Sequence, residues 1–424
     1  MTSRVRAEAT PSSRPVRVIL QNRSFRMLWL AGLMSYVGNW SLFAALPLFV
    51  FQLTESTFAS GVVLTAMFLP LLLGSVAGVF VDRWDRQRTL LIGNLAMAVL
   101  VLPMLITATG HGLWVAYIVV IVVGLASQFT TVAENALLPR LVGREHLLAA
   151  NSLNSLNDNL GRIIGPALGG LVATGAGLTG VVIMNAACYL VAAGLIGWMK
   201  ISPLPDSEPA QLSPAPAVGL WTEWRSGIAV IFRSRVLAIV FGVCALFMLA
   251  DSVLSALLAP FVATEVSSAA WTFGALLALR GVGGLLGGVL TSLLGGRLGP
   301  ATALGISLVG VGLLSFVFVN ISEPVVAYAT IALMGVLVIP GMAGQQTLLQ
   351  TNADDQLLGR VFGALGTTMA VTMLIGSLAG GALAQVVGVV PLLNVAAVLY
   401  TVAGLLALVL LSRGRSVAAV PAAQ

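Results

Sequence analysis

Stretches of about 20 apolar, nearly uncharged residues recur along the 424-residue chain, and they constrain its fold more than any other feature. At ~1.5 Å per residue, a helix of this length crosses the ~30 Å hydrocarbon core of a bilayer. Only helices and closed barrels satisfy the backbone in lipid, and these stretches are too long for the ~10-residue alternating strands of a membrane barrel. Because only 8% of the residues are charged and the mean hydropathy is +1.01, we expect an all-α membrane protein.

Hydropathy and helix-breaking residues predict twelve transmembrane helices in two six-helix halves. The predicted spans are 25–52, 58–80, 89–108, 113–136, 150–174, 179–199, 236–262, 270–294, 300–320, 325–346, 357–384 and 389–411. The Pro-rich, polar stretch 202–219 has the composition of a flexible linker. We therefore divide the chain into a tail (1–24), an N-terminal half (25–199), a linker (200–235), a C-terminal half (236–411) and a second tail (412–424).

The distribution of cationic residues predicts the orientation in the membrane. All but two of the 21 Lys and Arg residues fall in the two tails or in the connections after spans 2, 4, 6, 8 and 10. Cytoplasmic loops carry the excess of Lys and Arg, so both termini are expected in the cytoplasm of a multi-pass cell-membrane protein. The net charge of +6 thus follows from topology, and we expect lipid rather than nucleic acid around the chain.

The two predicted halves resemble each other at an offset of about 210 residues. The segment Gly78–Asp82 at the end of span 2 aligns with Gly288–Ser292 at the end of span 8, and Leu137–Leu138 aligns with Leu348–Leu349. Parallel repeats of this kind are typical of transporters whose substrate site lies between the halves near the middle of the membrane.

A basic loop after span 2 carries the first recognisable motif. It reads Gly-Val-Phe-Val-Asp-Arg-Trp-Asp-Arg-Gln-Arg, and its matching positions are Gly78, Asp82, Arg83, Arg86 and Arg88. The loop resembles the signature between helices 2 and 3 of the major facilitator superfamily, with Asp85 in place of the usual second glycine. The resemblance implies a gating loop in which Asp82 accepts charge-assisted hydrogen bonds. The alternative is an ordinary basic loop that only fixes topology.

Span 5 contains a second motif, Gly-Arg-Ile-Ile-Gly-Pro-Ala-Leu-Gly-Gly. Its positions Gly161, Gly165, Pro166, Gly169 and Gly170 are similar to the antiporter motif of the same superfamily, which implies an exporter sealed against leak. Small residues four apart also allow close helix contact in any membrane protein, so a simple packing role is the alternative. The segments 136–151 and 35–39 further resemble the drug:proton antiporter branch that includes macrolide and siderophore exporters.

Two arginines and three acids are predicted inside spans, where ionisable groups are costly and therefore candidates for function. Asp251 and Arg280 lie at matching depth on successive helices, so we predict that they pair, either permanently or as a proton-coupling site. Asp158 and Arg162 have the favourable i, i+4 order of a same-helix pair, and we favour a structural role over coupling. Glu134 is either a cavity acid or an interface anchor.

The superfamily lines its substrate cavity with helices 1, 4, 7 and 10, and several side chains on the matching spans suit this role. An aromatic, weakly polar cavity would accept lipophilic molecules, although the same aromatic side chains could simply pack against neighbouring helices or face lipid. The candidates are Tyr36, Asn39, Trp40 and Phe43 on span 1, Gln128, Thr131 and Asn135 on span 4, and Gln345 on span 10.

These features favour a secondary active transporter over an enzyme. With one lysine and no Gly-x-x-x-x-Gly-Lys loop, the chain has no phosphate-binding motif for ATP. We expect no cofactor and no metal site, a proton gradient as the energy source, and a monomer that exports small lipophilic or natural-product-like molecules, such as drugs. The alternatives are a lipid or lysophospholipid flippase of the same fold and a non-transporting membrane scaffold or sensor.

Overall fold

The computed structural model describes residues 15–73, 80–81, 84–143, 146–200, 231, 234–266, 269–293, 297–321, 323–353 and 358–411. Within these ranges every regular element is helical. Ten of the helices described there are long and apolar enough to cross a membrane, and a shorter apolar helix covers Thr57–Leu72. Because the longest helix is broken at Gly177, the described helices provide twelve spans, as the sequence predicts.

Side-chain caps begin the first spans of the N-terminal half. The side chain of Asn22 accepts hydrogen bonds from the backbone of Ser24 and Phe25, and Ser56 caps the next helix through Ala59. Span 1 is Arg23–Thr54, and span 2 is Thr57–Phe68, which continues as the 3₁₀ helix Leu69–Leu73. Span 3 consists of two helices, Arg86–Leu100 and Met104–Ala108. Span 4 is Leu113–Val142, and spans 5 and 6 together form Leu147–Gly197.

The last six spans follow the same pattern of caps and breaks. Ser234 caps span 7, and a proline occupies the first turn of spans 9 and 10, where its missing N–H costs nothing. Their helices are Arg235–Phe261 with a π-helical end Val262–Val266, Ala270–Leu293, Pro300–Asn320, Pro324–Asn352, Leu358–Val387, and Val389–Leu406 with a π-helical end Ala407–Leu411.

Spans 5 and 6 are joined by a single residue. Gly177 has φ 60° and ψ −160°, a conformation that only glycine adopts readily. Both ends of this 51-residue helical stretch return to the start of span 1, since Trp29 donates to the Leu153 carbonyl (2.9 Å) and Ser24 donates to the Lys200 carbonyl (2.9 Å). The chain therefore reverses direction at Gly177.

The two halves meet at the face of the bundle opposite the described chain ends, which we call the distal face. There, spans 2 and 11 cross closely enough that a Cβ on Gly61 would lie 3.0 Å from the Gly381 Cα. Thr57 donates to the Gly381 carbonyl (2.8 Å), and the hydroxyls of Thr65 and Ser377 are 2.8 Å apart. Small and hydroxylated side chains thus allow the backbones of the two halves to touch.

The buried core is divided between the halves. The C-terminal half has one large buried cluster, which includes Phe247, Phe318 and Tyr400. Ala44 and Leu48 of span 1 join this cluster, so one face of span 1 lies against the other half. Two smaller clusters fill the N-terminal half. Many large apolar side chains remain exposed on the outside, as expected for a surface that faces lipid.

Some boundaries differ from the sequence prediction for identifiable reasons. Within the predicted N-terminal tail, Pro15–Gln21 forms a helix, because Ile19 can bury its side chain in one of the N-terminal clusters. Span 3 is interrupted by a turn at Val101–Pro103, where the proline lacks the N–H that an uninterrupted helix needs.

The basic loop after span 2 is described only in part. Gly78, Asp82 and Arg83 lie outside the described residues. Asp85 accepts a hydrogen bond from the backbone N–H of Arg88 (2.8 Å) and so caps span 3. The residue that replaces the motif's usual second glycine therefore starts the next helix, and Arg86 and Arg88 follow it in the first turn.

Candidate transport site

An ion pair lies in the middle of the C-terminal half, between spans 7 and 8. Arg280 donates from Nη2 to Oδ1 of Asp251 at 2.5 Å, so the structure brings together the pair expected from matching depth. Tyr400 of span 12 donates to the same oxygen at 2.9 Å. The side chains of Asp251 and Arg280 are 19% and 22% exposed, whereas Tyr400 is fully buried. Side chains from spans 8 and 12 thus hold the carboxylate of span 7, which remains partly accessible to solvent.

Tyr400 is a member of this cluster that sequence reasoning missed. Its ring packs against Phe247, with 5.8 Å between centroids, which fixes the hydroxyl over Asp251. The available signal was chemical rather than periodic. A tyrosine in the middle of an apolar span needs a hydrogen-bond partner, and a buried carboxylate such as that of Asp251 can accept one.

A second ion pair lies in the N-terminal half, where spans 1 and 5 meet. Arg162 donates from Nε to Oδ2 of Asp158 at 2.9 Å, the same-helix pair expected from the sequence. The other carboxylate oxygen, Oδ1, accepts from the indole Nε1 of Trp40 at 3.1 Å. The Arg162 guanidinium also stacks over the Trp40 ring, 4.4 Å from its centroid. Both Asp158 oxygens are therefore occupied.

The helices that carry Arg162 and Arg280 cross between the halves. A Cβ on Gly281, which follows Arg280, would lie 3.3 Å from the Arg162 carbonyl oxygen, so spans 5 and 8 cross at this point. Each half thus has one acid–arginine pair, and the two arginines lie on spans 5 and 8, the helices that cross here.

Glu134 lines a separate cleft inside the N-terminal half. It accepts a hydrogen bond from Asn154 of span 5 at 3.1 Å, and its carboxyl group lies beside the position of Gly32. The cleft also contains Tyr36, Asn39 and Thr131. Glu134 therefore lines a cleft, the position expected under the cavity-acid alternative, and its role stays a prediction.

The remaining candidates for the substrate cavity do not form a single surface. Trp40 and Phe43 contact each other edge to face at 4.9 Å, whereas Asn39 accepts a hydrogen bond from the buried Tyr189 of span 6. Gln345 lines a different, small pocket within the C-terminal half. Gln128 is partly buried and Asn135 is exposed, and neither lines the cleft that contains Glu134.

The glycines of the span 5 motif pack against two helices at once. Gly161, Gly165 and Gly169 lie against Tyr36, Trp40 and Ser41 of span 1. Gly170 lies against Gly274 of span 8, whose absent Cβ leaves room for the Pro166 carbonyl. The motif therefore joins span 1 of its own half to span 8 of the other, on the distal side of the ion pairs.

This arrangement suits binding and relocation of a molecule rather than bond-making. The described residues contain no group of three or more His, Cys, Asp or Glu side chains that could bind a metal ion. They do provide one acid–arginine pair in each half and small residues where the two halves are in contact. This arrangement fits a transporter whose halves rock against each other.

Comparison with known proteins agrees with this fold. The chain is 28% identical over 366 residues to the enterobactin exporter EntS of Salmonella typhimurium (strain LT2), covering 82% of each protein. It is 29% identical to EntS of Escherichia coli O1:K1, again covering 82% of each, and 27% identical to the MFS-type transporter YfiS of Bacillus subtilis (strain 168), covering 88% and 90%.

Solved structures of transporters have the same fold. A peptide transporter POT in complex with sulfate superposes with a TM-score of 0.74 at 13% identity, covering 95% of this chain and 99% of that one. A bacterial homologue of the iron transporter ferroportin, in an inward-facing state, gives 0.71 at 19% identity, covering 91% and 98%. A sequence profile of the Major Facilitator Superfamily matches residues 28–372. The chain therefore belongs to the Major Facilitator Superfamily of membrane transporters.

Proposed function

We propose that this transporter exports small lipophilic or natural-product-like molecules in exchange for protons. The observation that carries the coupling proposal is the Asp251 cluster. A carboxylate held by Arg280 and Tyr400 in the middle of the membrane is stable while ionised, and protonation would remove the charge that holds Arg280. A proton bound at Asp251 would thus free Arg280 and change the contacts between spans 7, 8 and 12.

The proposed direction of transport, export, and the proposed substrate class rest on other observations. The span 5 motif lies at a contact between the halves, which is where a seal against leak is needed. Trp40 and Phe43 offer an aromatic surface beside the ion pairs, and aromatic surfaces suit lipophilic ligands. Two of the relatives described above are named enterobactin exporters, which favours export of a natural product. The distribution of cationic residues favours the cell membrane with both termini in the cytoplasm.

The coupling can be tested in everted membrane vesicles with the variant Asp251→Asn. We expect wild-type vesicles to accumulate members of a lipophilic compound panel only while a proton gradient is present. Asp251→Asn should lose gradient-driven accumulation but keep exchange of labelled for unlabelled substrate, because exchange needs alternating access without net proton movement. Glu323→Gln, at an exposed acid in a turn of the distal face, is the matched control.

Each outcome bears on a different part of the proposal. Gradient-driven accumulation that persists in Asp251→Asn would exclude this acid as the coupling site. Accumulation by the wild type that is indifferent to an uncoupler would exclude proton antiport, and lipid movement in liposomes without any gradient would favour a flippase instead.

A further inference from the structure

We infer that Arg162 binds the acidic group of the substrate, so that this transporter preferentially binds aromatic molecules carrying a carboxylate or a similar planar anion. The inference deepens the proposed function, on which it rests for the identity of the transport site. It concerns a residue for which the sequence favoured a purely structural role.

The hydrogen bonds of Arg162 leave its outer edge available. The guanidinium uses Nε for Asp158, and among the described residues no hydrogen bond reaches Nη1 or Nη2. Its side chain is 50% exposed, although it lies in the middle of a span. The two terminal nitrogens form the fork that binds a carboxylate in a bidentate manner. A charged guanidinium with two uncontacted nitrogens in the middle of a membrane span is costly, and an anionic ligand would lower that cost.

Neighbouring groups fix the direction of this fork. The guanidinium carbon of Arg162 lies 4.4 Å from the centroid of the Trp40 ring, and the indole N–H of Trp40 holds Asp158. The backbone of Arg162 lies where span 5 crosses span 8 of the other half, because a Cβ on Gly281 would come within 3.3 Å of the Arg162 carbonyl oxygen. The second intramembrane arginine, Arg280, is less accessible to a ligand, because its Nη2 donates to Asp251 and its side chain is only 22% exposed. Of the two intramembrane arginines, Arg162 is therefore the one able to receive a ligand.

Aromatic rings continue from the arginine along spans 1 and 2. The Trp40 and Phe43 rings are 4.9 Å apart, and the Phe43 and Phe68 rings are 6.3 Å apart. A ligand whose anionic end meets Arg162 would therefore have aromatic side chains beside its body. Edge-to-face and offset contacts with such rings stabilise aromatic ligands beyond the area they bury.

Replacing Asp158 distinguishes a ligand-binding role of Arg162 from a purely structural one. Its carboxylate lies 2.9 Å from the guanidinium and competes with an incoming anion for the same positive charge. If Arg162 binds the ligand, then Asp158→Asn should strengthen anion binding. If the pair served only to stabilise span 5, the same change should weaken binding or leave it unaltered.

The experiment compares two probes of nearly equal size, 2-naphthoate and the neutral 2-naphthamide, by equilibrium dialysis against the purified full-length protein. We expect the wild type to bind naphthoate about tenfold or more tightly than naphthamide, the preference that a charge-assisted hydrogen-bonded pair provides. Arg162→Gln should abolish the preference, Arg162→Lys should keep part of it, and Asp158→Asn should increase naphthoate affinity. Arg140→Gln, at an exposed arginine in the last turn of span 4, is the matched control and should behave as wild type.

Equal affinity of the wild type for the two probes, or no binding of either, would overturn the inference. So would an unchanged preference in Arg162→Gln, or a naphthoate affinity in Asp158→Asn that is equal to or below the wild-type value. Because the measurement is made on purified protein without a gradient, its failure is distinguishable from failure of proton-coupled export in vesicles.

Discussion

The contact between spans 5 and 8 predicts that a single methyl group can shift the balance between the two access states. A Cβ at Gly274 would overlap the Pro166 carbonyl oxygen and lie 3.0 Å from the Gly170 Cα. All of these are backbone atoms, so no side-chain rotation relieves the clash. Overpacking of this kind costs about 1–3 kcal/mol. In a transport cycle that separates the halves at the distal face, the cost in Gly274→Ala would fall only on the closed state described here.

The cost at Gly274 sets the expected change in the ratio of molecules with the distal face open to those with it closed. A cost of about 1–3 kcal/mol borne by one state changes the ratio of the two states by roughly 5- to 150-fold. Gly274→Ala should therefore shift the protein toward the state in which the distal face is open. Gly175→Ala adds the same methyl group near the end of span 5, where no other atom lies within 4 Å of the added carbon, and it should have no such effect.

Distances between spin labels across the distal face would measure this shift. Labels at Thr109 and Glu323 report on one exposed turn in each half, in a background that lacks Cys188 and Cys244. In Gly274→Ala we expect the longer distances to gain population at the expense of the shorter ones. A distance distribution identical to that of the wild type, or an equal shift in Gly175→Ala, would refute the reasoning.

Three further changes test individual contacts. Tyr400→Phe removes the 2.9 Å hydrogen bond to Asp251 and should lower the stability of the purified protein by about 1–3 kcal/mol, so an unaltered melting curve would contradict its role. Asp85→Ala removes the cap of span 3 and should cost about 1 kcal/mol in the same assay, whereas Asp85→Asn should largely retain it. Replacing Trp40 and Phe43 with Ala should alter the profile of exported compounds while expression is maintained, and unchanged efflux across the panel would argue against their placement in the substrate path.

The fold and both ion pairs were accessible from sequence because they depend on fixed geometric quantities, the helical rise and the i, i+4 spacing. Apolar length sets the number of spans, and the constant rise of a helix gives the depth of each charged residue. Asp251 and Arg280 were placed together on that basis, and their side chains meet. Span boundaries were less accessible, as the break at Pro103 shows, because a proline can be tolerated or can end a helix depending on its neighbours.

The shape of the substrate path was less accessible, because periodicity gives the face of a helix but not what lies opposite it. Tyr36, Trp40 and Phe43 share one stripe in the sequence. In the structure, Gly161 and Gly165 bring span 5 against this stripe, so that Tyr36 faces the cleft that contains Glu134 while Trp40 faces Arg162. Packing by a neighbouring helix thus divides a surface that the sequence presents as continuous.

The one-residue connection at Gly177 has a mechanical consequence. Spans 5 and 6 have no loop between them to absorb a displacement, so a tilt of span 5 at its contact with span 8 must be passed on to span 6. Span 6 carries Tyr189, which is hydrogen-bonded to Asn39 on span 1. Inserting a few flexible residues at Gly177 should therefore leave both helices folded, while span 5 could then move without displacing span 6.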